Sequence, residues 1–324
     1  MKPVVIGFDT SCYTTSVAAA TPDGHLVCSC RKLLPVETGE RGLRQSDAVF
    51  LHVRQLPDLI RQVSEQIRGY DITLVCASTK PRKSEDSYMP VFTVGKTMGE
   101  AMASVLNVPF VETDHQQGHF AAAAYESGIN TDQPYLAVHL SGGTTDLVLI
   151  SEDRLELLGT SQDLHAGQLV DRIGVAMGMK FPAGPELEKL AMNGTARALI
   201  PSSITNDGLS CHLSGAEAAC MRMIRDHKMP ETDIAAEVFD CLARTISKMI
   251  LNGMHETGIS QILLAGGVSS STLFRSMVTE RIRKNDRKAA VCFGHPEYSG
   301  DNAAGVYRAG MQRHEVLVLH NALL

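Results

Sequence analysis

Two histidines stand four residues apart in Asp114-His115-Gln116-Gln117-Gly118-His119-Phe120, which runs on into Ala121-Ala122-Ala123-Ala124. Asp114 is a good N-cap and the alanine run propagates a helix, so the spacing predicts both imidazoles on one face, one turn apart. The partial positive charge of a helix N-terminus keeps imidazole neutral, the form that takes a metal. The other reading is a pair of solvated histidines at a helix start. Gly118 inside such a helix costs ~1 kcal/mol against Ala, which makes sense if something must approach closely there. A metallopeptidase helix places a Glu general base beside its first His. Here Gln116 holds that position, and an amide cannot take a proton from water, so peptidase chemistry lacks its base. Two imidazoles leave a metal short of protein ligands. The candidate for the third is Asp301, in the small-residue turn Ser299-Gly300-Asp301-Asn302-Ala303; its other reading is a simple N-cap of the last helix.

A second kind of chemistry is written in three turns. Val4-Val5-Ile6-Gly7-Phe8 breaks into Asp9-Thr10-Ser11-Cys12-Tyr13-Thr14-Thr15 and resumes as Ser16-Val17-Ala18-Ala19-Ala20. Tyr135–Leu140 turns through Ser141-Gly142-Gly143-Thr144-Thr145-Asp146 and resumes at Leu147. Both read as β-hairpins with loops of small, hydroxyl-bearing residues. The third, Gln261–Ala265, ends in Gly266-Gly267-Val268-Ser269-Ser270-Ser271 before a helical pattern. Turns of Gly and Ser/Thr can aim successive backbone N–H groups at an anion; the plain alternative is three structural turns. In this order they resemble the superfamily of actin, sugar kinases and heat-shock-chaperone ATPases. That resemblance implies two hairpin loops facing phosphates across a cleft and a Gly-Gly turn approaching the adenosine.

These loops need elements to position them. Helical patterns cover Asp47–Ile67 (despite Pro57), Thr97–Leu106, Thr232–Glu256 and Asn302–His314, while Lys80–Tyr88 reads as a polar surface loop. Two similar hairpins predict a duplicated α/β lobe. Lobe one spans residues 1–130 plus a C-terminal helix at about 302–324, and lobe two spans 131–301. The 324 residues suffice for about two domains. With aromatics at 5% and no Trp, small aliphatic side chains must fill both cores. A net charge of −6 without a basic block argues against a protein that grips nucleic acid alone through a large positive face, so a tRNA substrate would need a partner's help. The eight cysteines show no C-x2-C pair, and neither a signal-peptide stretch nor an apolar run of ~20 residues is visible. The expectation is a reduced, cytoplasmic protein with no membrane span.

Read in order, G-F-D-T-S-C, D-H-Q-Q-G-H-F, the Ser-Gly-Gly loop, A-G-Q-L-V-D-R-I-G, F-P-A-G-P, L-S-G-A-E-A-A, A-G-G-V-S-S-S and S-G-D-N-A-A resemble the TsaD/Gcp family nearly end to end. This family was once labelled sialoglycoprotein endopeptidase and is now understood as tRNA threonylcarbamoyltransferase. The resemblance implies a divalent iron or zinc ion held in the cleft by His115, His119 and Asp301. It implies ATP or threonylcarbamoyl-AMP as the nucleotide and transfer to N6 of the adenosine 3′ of a tRNA anticodon. Ser141, Gly142, Gly143 and Thr144 would hold the phosphate or carbamoyl part. Asp171 and Gly184 would meet the ribose and adenine side, with Gly266, Gly267 and Ser271 closing on the nucleotide. Family members pair with a TsaB-like homologue or form homodimers.

The chain departs from the family pattern at catalytic positions. The acidic pair of S-C-D-E-T is Tyr13-Thr14 here, the His of S-G-G-H-T is Thr144, and the Asn ending G-G-V-x-x-N is Ser271. P-G-G-P becomes Pro182-Ala183-Gly184-Pro185, and the A-G-P-G segment is replaced around Ser78–Ser84. The metal pattern is kept while the catalytic and adenine patterns are changed, which points to a divergent paralogue. Alternatives to the transferase are a non-catalytic metal- and ATP-binding scaffold or sensor, and a carbamoyl- or phosphotransferase on another acceptor.

Overall fold

The β-branched run at the N-terminus forms strand β1 (Lys2–Thr10), which hairpins into β2 (Thr14–Ala20) and then β3 (Leu26–Leu33). The computed structural model describes residues 1–35, 43–82, 87–151, 154–295 and 303–322. It divides into two units, Met1–Ala122 with Gly300–Leu324, and Ala123–Ser299. Asp301 and Asn302 lie outside the described residues, as do 83–86 of the Lys80–Tyr88 loop.

In unit 1, β4 (Tyr70–Ser78) and β5 (Phe110–Thr113) add to β1 in parallel, giving the order β3-β2-β1-β4-β5. Alternation along β1 sends its side chains to two faces. Val4, Ile6 and Phe8 join a core with Leu56, Leu59 and Val63 of helix α1 (Gln45–Gln66) and Val94 of α2 (Phe92–Leu106). Val5, with Leu74 and Cys76 of β4, packs on Ala303, Val306 and Tyr307 of the last helix, α9 (Ala303–Ala322). Gly7 makes that packing close: a Cβ there would sit 2.9 Å from the Ala303 carbonyl oxygen. Helix α3 (His115–Ala124) follows β5 directly.

Unit 2 repeats the plan. Strands β6 (Tyr135–Leu140), β7 (Thr145–Ser151) and β8 (Arg154–Thr160) are antiparallel, and β9 (Gln261–Ala265) and β10 (Ala290–Phe293) extend β6 in parallel, in the order β10-β9-β6-β7-β8. The two sheets share strand order and sense, as two similar hairpins in one chain predict. Helices α4 (Ala166–Ala176), α5 (Gly184–Ala191), α6 (Ser214–Asp226) and α8 (Thr272–Asn285) surround α7 (Glu231–Thr257). Helix α7 buries Ile234, Val238, Phe239, Leu242, Ile246 and Ile250. Each full aliphatic or aromatic burial of this kind contributes about 1.5–3 kcal/mol.

No helix among the described residues is long and apolar enough to cross a membrane. The cysteines form no disulfide, and burial pushes the Cys76 and Cys220 thiols up to about 12.

Candidate functional site

In unit 1 the Asp114 carboxylate caps α3, accepting from Gln117 N at 2.8 Å. His115 and His119 then lie on one helix face with their Nε2 atoms 3.0 Å apart and their rings edge to face. On its other side His115 Nδ1 meets Asp9 Oδ1 at 3.0 Å. Asp9 is wholly buried at the end of β1, beside the Ser78 hydroxyl of β4, which donates to the same Oδ1. Two imidazole nitrogens aimed at one point can share a proton or share a cation. The donor set, two imidazoles with a carboxylate at the far ring nitrogen of one, suits a divalent metal. Among the described residues no group of three or more His, Cys, Asp or Glu gathers as a complete metal site. The third expected ligand, Asp301, lies outside them.

Gly118 owes its presence to a neighbouring helix. A Cβ at Gly118 would lie 3.2 Å from Val306 Cγ2, and one at Gly305 would lie 2.5 Å from the Gly118 carbonyl carbon. The close approach expected from the sequence is thus made by α9 crossing α3, with glycine on both sides.

The first hairpin loop is braced from within the unit. Thr10 Oγ1 donates to Val91 O at 2.9 Å and accepts from Gly95 N at 3.1 Å, tying β1 to the start of α2. His52, fully buried on α1, contacts Ser11 O through Nε2 at 2.9 Å and Thr15 Oγ1 through Nδ1 at 2.7 Å. Thr15 Oγ1 also lies 2.8 Å from Gln55 Oε1, and its single proton serves one of its two partners. Burial pushes the His52 pKa down, opposed by the Ser11 carbonyl and the Asp9 charge. Sequence reasoning missed Asp9, His52, Gln55 and Ser78 as site-building residues. The available signal was His52 and Gln55 on the apolar face of an otherwise amphipathic α1, at the spacing of Ala48, Leu56, Leu59 and Val63.

In unit 2 the Ser141–Thr144 turn closes with Ser141 N donating to Thr144 O at 2.8 Å. Gly143 N donates to Ser141 Oγ at 3.3 Å. A Cβ on Gly142 or Gly143 would meet nothing within 4 Å among the described residues. Its other side is held by the start of α4: Gly167 N donates to Ser141 O at 3.0 Å and Ala166 N to Thr145 Oγ1 at 2.8 Å. Only glycine fits at 167, where a Cβ would stand 2.6 Å from Gly142 N. Strand β9 ends beside β6, and Gly266, at φ +92°, backs onto Leu140, where a Cβ would lie 2.8 Å from its carbonyl carbon. The two glycine turns therefore sit side by side at the carboxyl ends of parallel strands, where open α/β sheets bind ligands.

Asp171 Oδ1 accepts from Ala183 N at 2.8 Å, bringing Asp171 to Gly184 at the head of α5. Farther along α5, Glu188 Oε1 accepts from Leu273 N at 2.9 Å and Thr272 Oγ1 at 2.8 Å, joining α5 to the head of α8. Ser271 serves as the N-cap of α8, its Oγ accepting from Phe274 N at 3.1 Å. That hydroxyl still has its own proton to donate. Unit 2 thus gathers Ser141, Gly142, Gly143 and Thr144 with Gly266 and Gly267, and Asp171 with Gly184 and, through Glu188, the α8 head at Ser271. His115 and His119 belong to unit 1.

Solved structures share this fold at low identity. HypF from T. kodakarensis superposes with a TM-score of 0.62 at 14% identity, over 97% of this chain and 48% of that one. A full-length HypF in its phosphate- and nucleotide-bound form gives 0.62 at 12%, over 98% and 47%. This chain thus spans about half the length of the HypF chains it matches. A ROK family protein from Streptococcus pneumoniae, solved with sucrose, gives 0.57 at 14% over 97% of this chain and 99% of that one. The fold is that of the actin, sugar kinase and heat-shock-chaperone ATPase superfamily. Residues 41–307 match the family model TsaD, tRNA N6-adenosine threonylcarbamoyltransferase. That span takes in both histidines, the Ser141 and Gly266 turns and the packing of α9 against α3, and on it the chain belongs to the TsaD family.

Proposed function

We propose that this chain transfers the threonylcarbamoyl group of threonylcarbamoyl-AMP to N6 of the adenosine 3′ of a tRNA anticodon, with a divalent metal as its resident ion. The observation that carries the reading is the 3.0 Å approach of His115 Nε2 and His119 Nε2 in a chain of this family. His115 and His119, with Asp301 as third ligand, would hold iron or zinc, which supplies a Lewis acid for charge developing on the departing AMP.

The rest of the work falls to unit 2. The Ser141-Gly142-Gly143-Thr144 turn, open at both glycines, admits phosphate or carbamoyl oxygens to the backbone. Asp171 uses one oxygen on Ala183 N, and its other is available to ribose hydroxyls. Gly267, where a Cβ would meet no described residue within 4 Å, would leave room for adenosine beside Gly184, and the Ser271 hydroxyl can donate to the base. N6 attacks the carbamoyl carbon, the carbon–oxygen bond to phosphate breaks with its electron pair on AMP, and the N6 proton leaves to water. The net charge of −6 favours a reading in which a partner, a TsaB-like homologue or a second copy of this chain, makes most of the tRNA contact.

One observation favours a second reading, a metal- and nucleotide-binding module without the transfer step. Where the family pattern has an acidic pair, Tyr13 is exposed and Thr14 is buried, and neither can act as a carboxylate. Incubating the protein with threonylcarbamoyl-AMP and tRNA, alone and with a TsaB-like partner, followed by nucleoside mass spectrometry, separates the two. Threonylcarbamoyl-adenosine is expected. Its absence under every combination, with metal and ATP still bound, overturns the transferase and leaves the binding module. Failure to bind either ligand overturns both.

A further inference from the structure

Asp9 is wholly buried, yet among the described residues its Oδ2 has no hydrogen-bond partner. Leaving a buried polar atom unsatisfied costs about 1–3 kcal/mol, more when it is charged. Packing gives no reason for a carboxylate at this point of β1. The reason lies at its other oxygen, Oδ1, which faces His115 Nδ1 at 3.0 Å and also receives the Ser78 hydroxyl.

A carboxylate only accepts, so Nδ1 of His115 carries the proton and Nε2 keeps its lone pair. That lone pair points to His119 Nε2, 3.0 Å away. Because Asp9 is bound at Nδ1, it stands on the far side of the ring from any ion at Nε2 and acts only through His115. Its placement is rigid. Asp9 and Ser78 lie on the adjacent parallel strands β1 and β4, whose register pairs Phe8 with Ala77. The Phe92 ring packs against the imidazole at 5.5 Å between centroids. A group held on paired strands is positioned more closely than one on a loop.

We infer that Asp9 is the positioning residue of the unit 1 histidine pair, fixing the tautomer and ring orientation of His115 so that Nε2 is presented to a divalent metal. The inference rests on the metal reading above for its purpose, and its first test is made without metal. In metal-free protein above the ordinary imidazole pKa, nitrogen–proton correlation NMR should show His115 protonated at Nδ1, and Asp9→Ala should shift it toward the Nε2–H form. Titration with Zn2+ and Co2+ should then show Asp9→Asn and Asp9→Ala binding about 10–100-fold more weakly than wild type. The Co2+ absorption bands should shift in Asp9→Asn.

Asp9→Asn keeps the side-chain size and removes the uncompensated charge, so its unfolding midpoint should stay at or above wild type, which separates positioning from folding. A His115 protonated at Nε2 in the wild type, or variants that bind both ions as tightly as wild type, overturns the inference. A wild type that binds neither ion while showing the Nδ1–H form overturns the metal reading, and with it the purpose assigned to Asp9.

Discussion

Two glycines at one helix crossing should respond to the same substitution to different degrees. At Gly305 a Cβ would stand 2.5 Å from the Gly118 carbonyl carbon, nearer still to its oxygen, and 3.0 Å from Ala122 Cβ. Ordinary carbon contacts lie at about 3.5–4.0 Å, so α3 and α9 must part by about 1 Å against backbone that cannot turn aside. Overpacking of this kind costs about 1–3 kcal/mol, set against up to ~1 kcal/mol of helix propensity gained. Gly305→Ala should therefore lose about 1–2 kcal/mol, a drop of roughly 2–8 °C for a domain of this size. At Gly118 the nearest atom is Val306 Cγ2 at 3.2 Å, so the buried Val306 need give by only a few tenths of an ångström. Gly118→Ala should change stability by less than about 1 kcal/mol, the tight contact offsetting the helix propensity gained. Thermal and urea unfolding of both variants measures the difference. Because the Gly305 methyl moves the helix that carries His115 and His119, Zn2+ affinity should also fall at least about tenfold, since such sites tolerate displacements of only ~0.5 Å. A Gly305→Ala protein as stable as wild type, or a Gly118→Ala protein destabilised as much as Gly305→Ala, would refute the crossing geometry.

Further outcomes follow from the same contacts. Gly167→Ala drives a methyl against Gly142 N and Ser141 at 2.6 Å, so ATP binding should weaken, whereas Gly142→Ala, whose methyl meets no described residue within 4 Å, should leave the fold intact; calorimetric ATP titration of the first and thermal unfolding of the second check this. His52 has its pKa lowered by burial, so the unfolded chain takes up its proton first as pH falls. Its contribution to stability is complete above the ordinary imidazole value of ~6.5 and is lost below it, with a limiting slope of about 1.4 kcal/mol per pH unit. Urea midpoints measured across that range should fall less steeply in His52→Gln than in wild type, and equal slopes would exclude His52 as the source.

The local features of both sites were legible in the sequence. Asp114 followed by His115, His119 and four alanines contains its own cap, period and face, and α3 forms with the expected histidine pair. The two hairpins and the strand, glycine turn and helix after Gln261 were readable because strand alternation and glycine turns are short-range signals. Contacts between remote segments were not. Asp9 meets Ser78 and His115 only because β4 inserts beside β1, and no local pattern announces that pairing. Helix α2 begins at Phe92, five residues before the start predicted at Thr97, because its first turn is held by Thr10 rather than by a cap of its own. Gly118 signalled a close approach, but a single sequence cannot distinguish a ligand from Gly305 of a distant helix. Ser271 stands where the family pattern has Asn, and its role as the N-cap of α8 shows only once Phe274 N is placed.

Elemental analysis of protein purified without chelator, beside His115→Ala and His119→Ala, tests the histidine pair most directly. One iron or zinc per wild-type chain, lost from both variants while their circular dichroism is unchanged, is the expected result. A wild-type chain that carries no stoichiometric metal, or variants that retain it in full, would contradict a resident ion at His115 and His119.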